Sequence, residues 1–141
     1  MCIRDSFWNL HKALCRFHQG ETTDEDTKLA KDTYLMYSDL KVDTSILRCK
    51  LYSILLPACI ILGYKEKTDG ILKLVQMMLP KITAEQSLAL LMVTLYGCTD
   101  NVFYHEKAHR LIEPWIGEEA PKKSKQLLIQ RLADYDKCLG H

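Results

Sequence analysis

The sequence has no charge excess, no paired cysteines, no glycine-rich phosphate loop and no long hydrophobic run, and each absence closes a class of function. Nineteen lysines and arginines stand against eighteen aspartates and glutamates, a net charge of +1 with a pI near 7.6. No global field therefore draws the chain to nucleic acid or to a membrane surface, and neither partner is expected. The cysteines at 2, 15, 49, 59, 98 and 138 show no Cys-x-x-Cys spacing. They are expected to be reduced, buried fillers, which points to a cytoplasmic location. The most apolar run, Leu51 to Gly63, holds thirteen residues and contains Pro57. It falls short of the ~20 residues that a bilayer span requires and reads as a buried core helix. Neither Gly-x-x-x-x-Gly-Lys nor Gly-x-Gly-x-x-Gly occurs, and without Gly-x-Ser-x-Gly no acyl-transfer nucleophile is signalled.

What is present is one domain's worth of chain. Its 141 residues, 48% apolar and 26% charged, sit at globular averages. These averages exclude a disordered tail, a collagen-like fibre and a membrane bundle, and the length suffices to bury about two thirds of the unfolded surface. The opening Met1-Cys2-Ile3-Arg4-Asp5-Ser6 resembles the in-frame translation of a transposon-end adapter from sequencing libraries, a string that recurs at the starts of environmental fragments. Residues 1–6 are accordingly set aside from fold reasoning. A single domain is expected over 7–141, as a piece of a longer protein whose upstream part is missing.

Apolar residues recur at helical spacing nearly throughout, and no stretch alternates with the period of a half-buried strand. The pattern predicts an all-α fold of about seven helices, stacked as hairpins in a superhelix or an irregular bundle. The first helix runs from about Phe7 to His18, with Phe7, Leu10, Leu14 and Phe17 on one face. The second follows Thr22 and Thr23, opens on Asp24, Glu25 and Asp26, and carries Leu29, Thr33, Met36 and Leu40 as its stripe. Asp43 or Thr44 caps a third, apolar on nearly every side from Leu51 to Leu62, which Pro57 should kink or split. The fourth spans about Thr68 to Leu79. A capping box at Thr83–Gln86 opens the fifth, again apolar all round, and Gly97 is expected to stop it. Asn101 caps the sixth, Pro114 should end it at Glu113, and Pro121 stands near the start of the seventh.

The pattern also hints at repetition. Tyr64-Lys-Glu-Lys67 returns as Tyr104-His-Glu-Lys107, and Pro80-Lys81 as Pro121-Lys122, about forty residues on. Each unit would pair one fully apolar helix with one amphipathic helix, as in proteins whose hairpins stack because they cannot bury their faces alone. Within one unit, Tyr52, Leu55, Gly63, Leu72, Val75 and Pro80 resemble the tetratricopeptide repeat, over about a quarter of the chain. Leu56, Thr68 and Pro57 depart from that pattern; the later unit keeps Ala108 and Ile112 but has Phe103 at the turn glycine. The resemblance is to a divergent tetratricopeptide-like or BTAD-like helical-repeat domain. It implies a protein- or peptide-binding module, the interaction or sensor part of a regulatory protein, with no catalytic residue and no cofactor.

One string can carry chemistry. His105-Glu106-Lys107-Ala108-His109 reads His-Glu-x-x-His on a predicted helix, where residues four apart share a face and both imidazoles can hold one zinc ion. The resemblance to zinc metalloproteases makes His105 and His109 ligands and Glu106 the general base of a small zinc-dependent hydrolase. Against it stand the charge of Lys107, the absence of a preceding strand, and an undefined third ligand: Glu113, Glu118, Glu119 and Asp134 are all candidates. Cys98 joined to His105 and His109 would be one ligand short of a structural zinc set. The alternative for the motif is a solvated helix face. Tyr64, Tyr96, Tyr104 and Trp115, with Met77 and Met78, would line a partner groove, unless their helical spacing makes them core. The basic run Pro121-Lys-Lys-Ser-Lys125 reads as a solvated helix start.

Overall fold

A computed structural model describes residues 3–141, with side chains from Phe7 onward. The adapter-like segment thus lies in part outside the described residues. Within them the chain is all-α: α1 (Ile3–His18), α2 (Asp24–Tyr37), α3 (Ser45–Leu62), α4 (Lys65–Met78), α5 (Glu85–Thr99), α6 (Val102–Ile116) and α7 (Lys123–Cys138), with a 3-10 turn at Leu79–Lys81 after α4. No strand occurs among the described residues.

The two helices that are apolar on every side form the interior. α3 packs on α1, α2, α4 and α5, and α5 packs in turn on α6 and α7. By length and composition α3 is apolar enough to cross a membrane, with a mean hydropathy of 1.7 over its 18 residues. In the bundle its Leu51, Ile54, Leu55, Leu56, Ala58 and Ile61 are buried against neighbouring helices.

The break expected at Pro57 does not occur; α3 runs unbroken across it. Proline lacks an N–H, so the carbonyl four residues earlier, that of Ser53, loses its helical partner. His11 of α1 supplies a replacement, its Nε2–H donating to Ser53 O at 3.0 Å. Pro114 is likewise carried inside α6 rather than ending it at Glu113. The carbonyl it orphans belongs to Arg110, an exposed residue. Buried Trp115 holds that last turn down, with its indole donating to Glu85 at 3.2 Å.

Two further expectations are corrected. Gly97 does not stop α5, which continues to Thr99 and ends where Asp100 takes a left-handed conformation, φ 52°. Gly97 instead makes room for a ring: a Cβ built there would lie 2.7 Å from Tyr135 Cε1, with Cζ and Cε2 closer still. The capping box at Thr83 is also absent. The N-cap of α5 is Ala84, without a side-chain bond. The box that does form belongs to α2: Thr23 Oγ1 accepts from Asp26 N at 3.1 Å while Asp26 Oδ2 accepts from Thr23 N at 3.2 Å. Arg16 of α1 reaches the same carboxylate with two bonds, at 2.8 and 2.6 Å. α2 buries Asp26, Ala30 and Thr33, as expected for Thr33; Met36 faces outward, and the helix ends at Tyr37, short of the exposed Leu40.

Candidate functional site

The sequence placed His105 and His109 on one helical face, and the structure brings them together on α6 with ring centroids 4.7 Å apart and planes at 83°. Both turn Nε2 toward one carboxylate, that of Asp136 on α7. His109 Nε2 lies 2.7 Å from Oδ2 and His105 Nε2 2.8 Å from Oδ1. Two more side chains complete the arrangement. The Tyr96 hydroxyl of α5 donates to Asp136 Oδ1 at 2.6 Å, and Glu113 Oε1 stands 3.4 Å from the outer nitrogen of His109.

Burial and the neighbouring carboxylate push the Tyr96 phenol far up, so it stays protonated and serves as donor. His109 forms an aligned hydrogen bond with Asp136. The His105 Nε2 contact is short but out of line, leaving that solvent-shielded nitrogen without a hydrogen-bond partner. His141 lies over His105, centroids 4.7 Å apart, and its own Nε2 bonds Asp100 Oδ1 at 2.8 Å. The donor atoms of His105, His109 and Asp136 all lie within 4.8 Å of one another, a set able to hold a metal ion.

Of the acidic residues weighed as a third ligand, none completes this set. Glu113 acts behind His109, Glu118 bonds Lys125 at 3.1 Å, and Asp134 pairs with Arg131 at 2.5 Å. Asp136 was missed because its partners lie on another helix: the apolar stripe Leu128, Leu132 and Tyr135 marks the buried face of α7, but no local pattern pairs Asp136 with His109, 27 residues earlier. Glu106 is exposed and forms no hydrogen bond or ion pair among the described residues. Cys98 is not part of the cluster, and burial holds its thiol in the protonated form.

The four aromatics named for a groove part company. Tyr96, Tyr104 and Trp115 are buried in the core, and Tyr64 is exposed at the start of α4, edge-on to Tyr34 of α2. An open cleft of about 310 Å³ lies between α2, α3 and α4 instead, floored by Leu51, Tyr52, Leu55 and Ile71 and rimmed by Glu66 and Lys67. Met77, one of the methionines considered for a groove, is 72% exposed on α4 and does not line the cleft. A second cleft of about 280 Å³ lies between the start of α3 and the turn before α5. None of His105, His109 and Asp136 lines either cleft. In the run 121–125, Lys125 is engaged by Glu118 and sits 5.1 Å above the Trp115 ring.

Compared with protein-family models, with curated proteins and with solved structures, the chain matches none.

Proposed function

We propose that the chain is a binding module of stacked helical hairpins, the interaction or sensor part of a cytoplasmic regulatory protein, whose α2–α3–α4 cleft takes an amphipathic helix of a partner protein. The observation that carries this reading is the placement of large apolar side chains where solvent reaches them. Leu40, just past α2, is 49% exposed and Leu74 on α4 is 50% exposed, and both line the cleft beside its apolar floor. An apolar patch rimmed by polar groups, here Ser38, Glu66 and Lys67, is the usual mark of a docking surface. Its volume is small for a drug-like ligand but adequate for the i, i+3, i+4 side chains of a helix.

The repeat reading draws support from element spacing. α3 starts at Ser45 and α5 at Glu85, forty residues on; each is the apolar member of a hairpin, followed by a more amphipathic α4 or α6. Gly63, the turn glycine of the tetratricopeptide pattern, sits in the left-handed conformation at φ 73° after α3. The described cysteines are all free, in keeping with a reducing compartment.

The test is selection of displayed helical peptides carrying apolar residues at i, i+3, i+4 and i+7, followed by fluorescence anisotropy with the selected sequences. Leu74→Asp should weaken binding at least tenfold while leaving the helical circular dichroism unchanged. Selection that yields no binder, or binders indifferent to Leu74→Asp, would reject the cleft.

A further inference from the structure

We infer that His105, His109 and Asp136 form a site for a zinc-class divalent cation that fastens α7 onto α6. Two imidazole nitrogens and one carboxylate oxygen are a borderline donor set, suited to zinc, cobalt(II) or nickel(II) rather than to magnesium or calcium, which prefer oxygen alone. Bonds of about 2.0–2.2 Å at tetrahedral angles place donor atoms about 3.3 Å apart. The His–Asp contacts of 2.7 and 2.8 Å, which run to different oxygens of Asp136, are a little shorter than this, while the set as a whole lies within 4.8 Å. To take an ion, the carboxylate turns one oxygen toward both imidazoles and the rings adjust around it, a change of side-chain torsions on intact helices.

Three features distinguish this cluster from a chance meeting of polar side chains. The misaligned, solvent-shielded Nε2 of His105 is a donor atom that the protein itself leaves unsatisfied, which an ion between it and Asp136 corrects. Glu113 stands behind His109, so that with Nε2 on a metal the proton of Nδ1 has a carboxylate to bond; such pairing fixes the ring and raises its basicity. Tyr96 donates to Asp136 Oδ1 at 2.6 Å and so steadies the carboxylate. The ligands come from α6 and α7 and the supporting hydroxyl from α5, so occupancy joins the last three helices of the chain. Glu106 has no part in it: the site acts on the fold and requires no proton transfer.

The full tag-free chain is titrated with cobalt(II) chloride, read by the visible bands of tetrahedral cobalt, and with zinc chloride, read by calorimetry and thermal unfolding. One ion per chain is expected, with the unfolding midpoint rising by about 10 °C when free zinc reaches a hundred times Kd. Asp136→Asn, which keeps its shape and can still accept from Tyr96, and His109→Ala should each abolish the cobalt bands. Tyr96→Phe should weaken binding about tenfold, and Glu106→Gln should bind as the parent does. If His109→Ala does not fold without metal, Asp136→Asn decides. A parent that takes up no ion at millimolar zinc overturns the site, as does uptake that survives in Asp136→Asn, which would place the ion on other groups such as the thiols.

Discussion

Acid should unfold this protein through His11. Its ring is fully buried between α1, α3 and α7, with Nε2 against Ser53 O and Nδ1 against the Tyr135 hydroxyl. A carbonyl only accepts, so the proton of the neutral ring sits on Nε2 and Nδ1 must accept from Tyr135. Adding a second proton places a charged ring in a fully buried site, beside the Arg131 charge. Burial first, and Arg131 after it, outweigh the Ser53 bond and hold the histidine down to about 3, against 6.5 when unfolded. The folded pKa is depressed, so the unfolded chain takes up the proton first as pH falls. The stabilisation is complete above about pH 6.5 and is lost progressively down to about 3. At about 1.4 kcal/mol per pH unit, lowering the pH from 7.5 to 5 removes about 2 kcal/mol, and reaching pH 3 removes about 4–5. Against a typical total of about 5–15 kcal/mol, that is a large share. Urea unfolding followed by circular dichroism at several pH values measures it, with His11→Gln as comparison, since glutamine can donate and accept without titrating. The reasoning fails if the parent's stability is flat between pH 7.5 and 5, or if His11→Gln shows the same slope.

Other changes probe separate parts of the molecule. Gly97→Ala should destabilise by about 1–3 kcal/mol in thermal unfolding, because the alanine meets the Tyr135 ring and outweighs its gain in helix propensity of about 1 kcal/mol. In a Tyr135→Leu background the same alanine should become neutral, and a persisting penalty would show that the ring is not the obstacle. Asp26→Ala removes the acceptor half of the α2 capping box, the bond from Thr23 N, and a two-pronged bond to Arg16, and should cost about 2 kcal/mol at neutral pH. Arg16 holds the Asp26 carboxyl below its usual 3.8, so this contribution is present above about pH 4 and fades below it. Chemical denaturation at pH 7 and pH 3 should show the variant's deficit shrinking; an equal deficit at both would refute the pairing.

What was legible in the sequence was local. Helical periodicity gave the all-α class, and the uniform greasiness of Leu51–Leu62 and of Ser87–Tyr96 marked the two core helices, because a helix without a polar side has nowhere to go but inside. Thr44 and Asn101 cap α3 and α6 as their side chains suggested, since a cap is settled within a few residues. The misreadings came wherever a distant group decides. Pro57 looks like a break until His11, 46 positions earlier, supplies the bond that proline forfeits. The α2 stripe reads as Leu29, Thr33, Met36 and Leu40. Thr33 is buried as read, with the small Ala30 beside it allowing close approach, whereas Met36 is exposed and Leu40 lies past the helix end, lining the cleft.

The candidate metal site was half legible for the same reason. Two histidines four apart on a helix are a local fact. The carboxylate opposite them depends on how α7 is rotated, and that rotation is set at Gly97. Tyr135 lays its ring on the bare backbone there, and His11 holds its hydroxyl from the other side. A helix pinned at Tyr135 by two contacts has little freedom left at the next residue, so Asp136 points to α6, while Asp134, about 100° round the helix on the other side of Tyr135, turns to Arg131. Gly97 read from sequence is a stop signal, and that reading conceals the socket that orients Asp136. The same coupling makes Gly97→Ala informative twice over: a ring displaced by the new methyl should turn α7, and with it Asp136, away from His105 and His109. Cobalt(II) uptake should then fall in step with stability, although no ligand has been altered. A Gly97→Ala protein that loses stability yet binds cobalt as the parent does would show that Asp136 is oriented by something other than the Tyr135 socket.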